Sequence, residues 1–235
     1  MHAYTSEMSG VSKARLVAVE GNIGAGKSTL LAAMSQWYRG SAEILPEPID
    51  EWRREGGGTA QSPLASFYRR PDMHAMSFQA LVMSTKMREL DASMRAHGGT
   101  GLYVCERDPY DTDVFPRLNV DEGLFDETHV AVLQHLAGTF AGIGRLPALS
   151  GSIYLRAPPD LCAARIVSRG RAEEVAESGG LSAMRVARLH RLHEAKFGEA
   201  GALWARGAVL VLDASVPVGE HRASIDAFLA RVAPP

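Results

Sequence analysis

The segment Gly21-Asn22-Ile23-Gly24-Ala25-Gly26-Lys27-Ser28 fits the pattern G-x-x-x-x-G-K-[ST], and it follows the apolar run Leu16-Val17-Ala18-Val19 that ends in Glu20. A glycine-rich turn between a strand and a helix is the setting that a phosphate-binding loop requires. Glycine lets successive N–H groups turn inward and line an anion cradle, where β-carbons would crowd the phosphates. The helix opening near Lys27 aims the positive end of its dipole at the same anion. Lys27 is placed to reach the terminal phosphates and the Ser28 hydroxyl to meet Mg²⁺. The motif therefore predicts that the chain binds a nucleoside triphosphate, ATP or a relative of it.

The same strand–loop–helix opening sets the fold class. Further strand-like runs are Glu43 to Leu45, Leu102 to Glu106, Ile153 to Leu155 and Val209 to Leu212, with helical stretches between them. This alternation predicts an α/β fold: a parallel sheet of about five strands with helices on both faces. Met76, Ala80, Met83, Met87, Leu90 and Met94 recur at steps of four and three, so one long helix spans about Asp72 to His97. Gly98-Gly99 ends it. The methionine stripe is either core or a contact between subunits. Gly56-Gly57-Gly58 and the stretch Gly142 to Gly151 read as surface loops. At 235 residues, a flexible tail over 1–14 and one domain over 15–235 account for the chain.

In open α/β sheets, ligands sit beyond the carboxyl ends of the strands. After the second strand comes Pro46-Glu47-Pro48, then Trp52. A carboxylate between two φ-restricted prolines is rigidly placed. After the third comes Glu106-Arg107-Asp108-Pro109. Glu106 suits a metal-site acid, and Arg107 suits a phosphate or a carboxylate partner. Asp108-Pro109 reads as a helix start, with Asp as N-cap and Pro in the first turn. Arg165, Arg169 and Arg171, followed by Glu173 and Glu174, read on composition as a solvated charged turn. The alternative is an arginine lid that neutralises charge on a moving phosphoryl group.

Taken together, these segments resemble the deoxynucleoside kinases, the family of deoxycytidine, deoxyguanosine and mitochondrial thymidine kinases. The resemblance is carried by Glu20 to Thr29, Pro46-Glu47-Pro48 with Trp52, Tyr68 with Arg70-Pro71, and Phe78-Gln79. It continues through Glu106-Arg107, Tyr154-Leu155-Arg156, the Arg169-Gly170-Arg171-x-Glu-Glu lid and Leu189-His190-x-x-His193-Glu194. The run after Glu106-Arg107 is similar to the acid-Arg-His-Pro run of herpesvirus thymidine kinases, and the lid carries extra residues, Val175 to Gly180.

The resemblance implies transfer of the γ-phosphoryl of ATP to the 5′-hydroxyl of a deoxynucleoside, a pyrimidine one by preference. Glu47 would be the base and Arg107 would hold both Glu47 and the phosphoryl group. Ser28 and Glu106 would place Mg²⁺. Gly21, Asn22, Ile23, Gly24, Ala25, Gly26, Lys27, Ser28 and Thr29, with Arg165, Arg169 and Arg171, would hold ATP. Gln79 would read the base, enclosed by Phe78 and Trp52, while Tyr68 and Glu174 would hold the 3′-hydroxyl. Lys86 falls where relatives carry an arginine or an apolar residue. It can only donate, so it would either pair with Asp111 or Asp113 or favour a carbonyl-bearing base such as thymine. His190 and His193 lack a zinc-binding order and are expected to pack. A homodimer is implied as well.

Composition narrows the partners. A formal charge of −2 gives no global basic field for nucleic acid, no apolar run approaches a membrane span, and Cys105 and Cys162 form no framework. The expectation is a cytoplasmic enzyme acting on a small molecule. The competing readings are another P-loop kinase (one acting on nucleoside monophosphates, for instance), a P-loop switch protein, which the missing N-K-x-D motif disfavours, and a non-catalytic relative.

Overall fold

The computed structural model describes residues 13–54, 62–143, 146–175, 181–198 and 207–233. The expected tail over 1–14 lies almost wholly outside the described residues, as do Gly56-Gly57-Gly58 and most of the lid extension. The elements run β1 (Lys13–Glu20), α1 (Lys27–Trp37), β2 (Ala42–Leu45), α2 (Ile49–Trp52), α3 (Pro63–Arg69), α4 (Pro71–Ala96) and β3 (Thr100–Glu106). They continue as α5 (Val114–Asp121), α6 (Glu127–Ile143), β4 (Leu149–Arg156), α7 (Pro159–Arg169), α8 (Ala172–Val175), α9 (Ala183–Phe197), β5 (Ala208–Asp213) and α10 (Arg222–Val232).

The five strands form one parallel sheet in the order β2-β3-β1-β4-β5. The chain leaves β1 for the edge, returns to β3, and then crosses β1 to β4. Loops following β1 and β3 therefore meet at the place where the strand order reverses, the usual position of a ligand crevice.

Alternation along β1 divides the core in two. Val17 and Val19 face one layer, with Leu30, Leu31 and Met34 of α1, Ile166 of α7 and Phe228 of α10. Leu16 and Ala18 face the other, with Tyr103 and Cys105 of β3 and Met83, Met87, Leu90 and Met94 of α4. The methionine stripe is thus core: it covers the sheet. Burying each such side chain contributes roughly 1.5–3 kcal/mol, so α4 is fixed along its length, and with it the residues on its site-facing side.

Two local expectations fail. The stretch Gly142 to Gly151 is not all loop, because β4 already begins at Leu149. Its polar opening, Ser150-Gly151-Ser152, conceals a strand that needs small residues. A β-carbon at Gly151 would lie 2.8 Å from Phe228 Cζ and 2.9 Å from the Ala208 carbonyl oxygen. Nor does Asp108-Pro109 start a helix. Asp108 is buried, and its Oδ1 accepts from the Tyr110 N–H at 2.8 Å within a turn. The helix waits until Val114, where Asp111 takes over the capping, accepting from the N–H groups of Asp113 and Val114 at 3.1 and 3.2 Å.

Candidate active site

The loop after β1 has left-handed glycines at Gly24 (φ 81°) and Gly26 (φ 106°), and Gly26 is the N-cap of α1. A β-carbon at Gly24 would sit 2.5 Å from the Cys162 carbonyl oxygen. Here glycine is required by close packing on α7 as well as by the anion cradle. Ile23 to Thr29 line a cavity of about 950 Å³. Gly21 and Asn22, expected as contacts, instead stand behind the cavity. Asn22 Nδ2 donates to the Val186 carbonyl at 2.9 Å, and a β-carbon at Gly21 would meet the Leu155 carbonyl at 2.7 Å, so both brace the loop from the rear.

Lys27 is buried, and its Nζ donates to the Asn22 carbonyl at 2.9 Å with Glu106 Oε1 at 3.7 Å. Burial beside the Arg107 guanidinium pushes its pKa down to about 8. Ser28 Oγ donates to Glu106 Oε2 at 3.2 Å. A hydroxyl and a carboxylate this close are hard oxygen donors that fit Mg²⁺.

β2 delivers Glu47 and β3 delivers Arg107 to the same wall. Arg107 Nη1 donates to Glu47 Oε1 at 2.8 Å, and Nη2 to the Gly21 carbonyl at 3.3 Å. Burial opposes ionisation of Glu47, yet Arg107, Lys86 and Lys27 outweigh it and hold the carboxyl below the usual carboxylate range. Such a group is an anion at neutral pH. The proline-flanked carboxylate and the phosphate loop therefore open into one cavity, with Lys27, Ser28, Glu106 and Arg107 on its surface.

Beyond Glu47, Trp52, Tyr68, Phe78, Gln79 and Lys86 line the far end. Trp52 meets Phe78 edge-on at 5.8 Å, and its Nε1 donates to Thr85 Oγ1 at 3.0 Å. Phe78 stacks on Phe67 at 4.9 Å. The result is a slot with flat apolar walls and one primary amide, Gln79, on its surface. Burial, reinforced by Glu174, pushes Tyr68 up to about 12, so it stays a neutral donor.

The lid arginines reach the cavity in two ways. Arg165 spends its guanidinium on backbone, donating to the Ala25 carbonyl at 2.8 Å and the Ala214 carbonyl at 3.0 Å. It clamps the phosphate loop to the end of β5. Arg169 and Arg171 converge on Glu174 at 2.6 and 3.3 Å.

Lys86 does not pair with Asp111 or Asp113. Its Nζ donates to the Arg107 carbonyl at 3.0 Å. Lys196 of α9 takes both aspartates, Asp111 closely and Asp113 at 3.0 Å, a pairing across more than eighty residues that no local pattern announces. His193 packs against Tyr154, ring to ring, with Nδ1 on the Leu189 carbonyl at 2.8 Å, and burial pushes it down to about 3.

Several lining residues carried no sequence signal. Arg107 lies over the Phe115 ring, and Arg185 lies over Phe67 while holding Glu122 and Asn119. At the other end, residues 214–218 and His221 close the cavity beside Arg165.

Comparison with known proteins gives the family of the chain. The chain is 32% identical over 180 residues to the thymidine kinase of Ictalurid herpesvirus 1, covering 75% of this chain and 72% of that protein. It is 29% identical over 210 residues to deoxycytidine kinase 1 of Xenopus laevis, covering 77% and 73%. It is also 27% identical over 159 residues to a probable deoxycytidine kinase of fowlpox virus, covering 67% of this chain and 63% of that protein. The family model for deoxynucleoside kinase matches residues 17–233, so this chain, with its parallel sheet and phosphate loop, belongs to the deoxynucleoside kinase family of nucleoside-hydroxyl phosphotransferases.

Proposed function

We propose that the chain transfers the γ-phosphoryl of ATP to the 5′-hydroxyl of a pyrimidine deoxynucleoside. One observation carries the reading: Glu47, held by Arg107 at 2.8 Å, faces the same cavity as Lys27 and Ser28. Phosphoryl transfer needs positioning and charge neutralisation more than covalent help, and these residues supply both. Glu47 accepts the proton of the sugar's primary alcohol as that oxygen attacks the γ-phosphorus, whose bond to the bridging oxygen breaks so that ADP leaves. Arg107 orients Glu47 and takes up charge on the moving group, while Lys27 does so from the loop side. Ser28 and Glu106 would hold Mg²⁺, which supplies electrostatic neutralisation of phosphate oxygens when bound. Arg169 and Arg171 would exchange Glu174 for phosphate.

At the other end Gln79 offers an acceptor and a pair of donors to a base edge, with Trp52 and Phe78 enclosing the ring. Tyr68 and Glu174 hold the 3′-hydroxyl. The pyrimidine preference rests on the names of the relatives, deoxycytidine and thymidine kinases. The reading includes a single domain, a cytoplasmic setting and a homodimer. The dimer contact must use surfaces other than the methionine stripe, since Met83, Met87, Leu90 and Met94 are buried against the sheet. Among the described residues no helix is long and apolar enough to cross a membrane.

A panel of four deoxynucleosides with ATP and Mg²⁺ tests the function. The expected outcome is turnover of thymidine, deoxycytidine or both above the purines. Turnover of nucleoside monophosphates alone would replace this reading with a different kinase.

A further inference from the structure

Among the described residues Arg107 is the one non-glycine residue with positive φ, at 61°. For an L-residue that conformation costs roughly 1–2 kcal/mol, so neighbouring contacts must hold it. The turn does specific work. The Arg107 N–H still donates to the Val19 carbonyl at 3.0 Å, extending the β1–β3 ladder by one rung. The chain then swings away, the Asp108 N–H donates to Glu20 Oε1 at 2.7 Å, and the Arg107 side chain turns back toward Glu47 and Gly21. This leaves the Arg107 carbonyl out of the ladder in a buried place, where an unmet acceptor costs about 1–3 kcal/mol.

Two groups reach that carbonyl. One is the Cys105 thiol at 3.2 Å, a weak donor. The other is Lys86 Nζ at 3.0 Å, a charged donor on a helix that the methionine stripe locks to the sheet. We propose that Lys86 is a positioning residue for Arg107: its ammonium, fastened to the Arg107 carbonyl, holds the corner after β3 in the left-handed turn that aims the guanidinium at Glu47. Lys86 acts through Arg107 and not by reading the base. The inference rests on the assignment of Glu47 and Arg107 to the phosphoryl-transfer step. Charge points the same way: the cations that keep Glu47 ionised are Arg107, Lys86 and Lys27, in that order.

The test compares Lys86→Met, Lys86→Gln and Lys86→Arg with the wild type on the two deoxynucleosides that the wild type turns over best. A misaimed Arg107 should lower kcat of Lys86→Met by about 10- to 100-fold on both substrates, with the ratio of their kcat/KM values within about twofold of wild type. The acid limb of its kcat/KM profile should move to higher pH, because Glu47 loses a neighbouring cation; a lysine with no influence on the Glu47–Arg107 pair would leave that limb in place. Lys86→Arg, which keeps a charged donor, should retain most of kcat. Lys86→Gln keeps a donor without charge, so it should fall between the two with its acid limb displaced, and it carries the test if Lys86→Met does not fold. A tenfold change in the substrate ratio with kcat preserved on the better substrate would overturn the inference and make Lys86 a base reader. Unchanged kcat, or a loss of kcat with an unmoved acid limb, would overturn it as well. A wild type inactive on every deoxynucleoside would instead remove the functional reading on which the inference stands.

Discussion

The corner after β3 and the lid that begins at the end of α7 both present arginines to one cavity, but they are built differently. At the corner, the Arg107 side chain is 9% exposed and bonded to Glu47, the Gly21 carbonyl and, through its own backbone, Lys86. In the lid, Arg169 and Arg171 are 33% and 25% exposed and share one carboxylate, Glu174. Arg107 is held from several sides, by Glu47, the Gly21 carbonyl and, through its backbone, Lys86 and the Val19 carbonyl, so its guanidinium is already in place beside Glu47 before substrate arrives. The lid pairs are wetter and joined through a single acid, so phosphate oxygens can compete for the same guanidinium groups. The contrast separates a preorganised half of the site from an exchangeable half.

Substitutions at the two arginines should therefore differ in size and kind. Arg107→Lys keeps charge but loses the fork that spans Glu47 and Gly21, and it should lower kcat by about 10²-fold or more. Steady-state kinetics on the best substrate checks this, and a loss below tenfold would make the corner no more important than the lid. Arg169→Ala removes one charged hydrogen bond of about 1.5 kcal/mol, so kcat/KM for ATP should fall by about tenfold. That loss should lessen as ATP is raised, whereas the Arg107→Lys loss should persist at saturation.

How much of this was legible follows the range of each interaction. The phosphate loop, β1 and α4 are local patterns, glycine spacing or apolar period, and the chain displays them openly. Glu47 and Arg107 stood out because they follow strands. Lys196 with Asp111 is a contact between distant segments, and it decided what Lys86 was free to do. The start of β4 was hidden by small polar residues whose reason is Phe228, more than seventy residues on. Asp108-Pro109 carried a valid helix-start signature. Tertiary bonds from Glu20 and Lys196 overrode it.

A smaller effect sharpens the comparison from the loop side. Lys27, pushed down to about 8, is partly neutral in the free protein above that pH and fully charged well below it. Triphosphate favours the ammonium, so binding near pH 8.5 should take up protons at Lys27, and binding near pH 6.5 should not. Titration calorimetry in buffers of different ionisation enthalpy reads this directly, and an equal proton count at both pH values would contradict it.

The central claim is that the proline-flanked carboxylate is the base facing the nucleotide held by the glycine loop. Glu47→Gln keeps the shape and an acceptor for Arg107 while removing the base. With deoxynucleoside and ATP saturating, kcat should fall by about 10²–10⁴-fold, with thermal stability and nucleotide binding close to wild type. Turnover within a few-fold of wild type in a folded, nucleotide-binding Glu47→Gln variant would contradict the account.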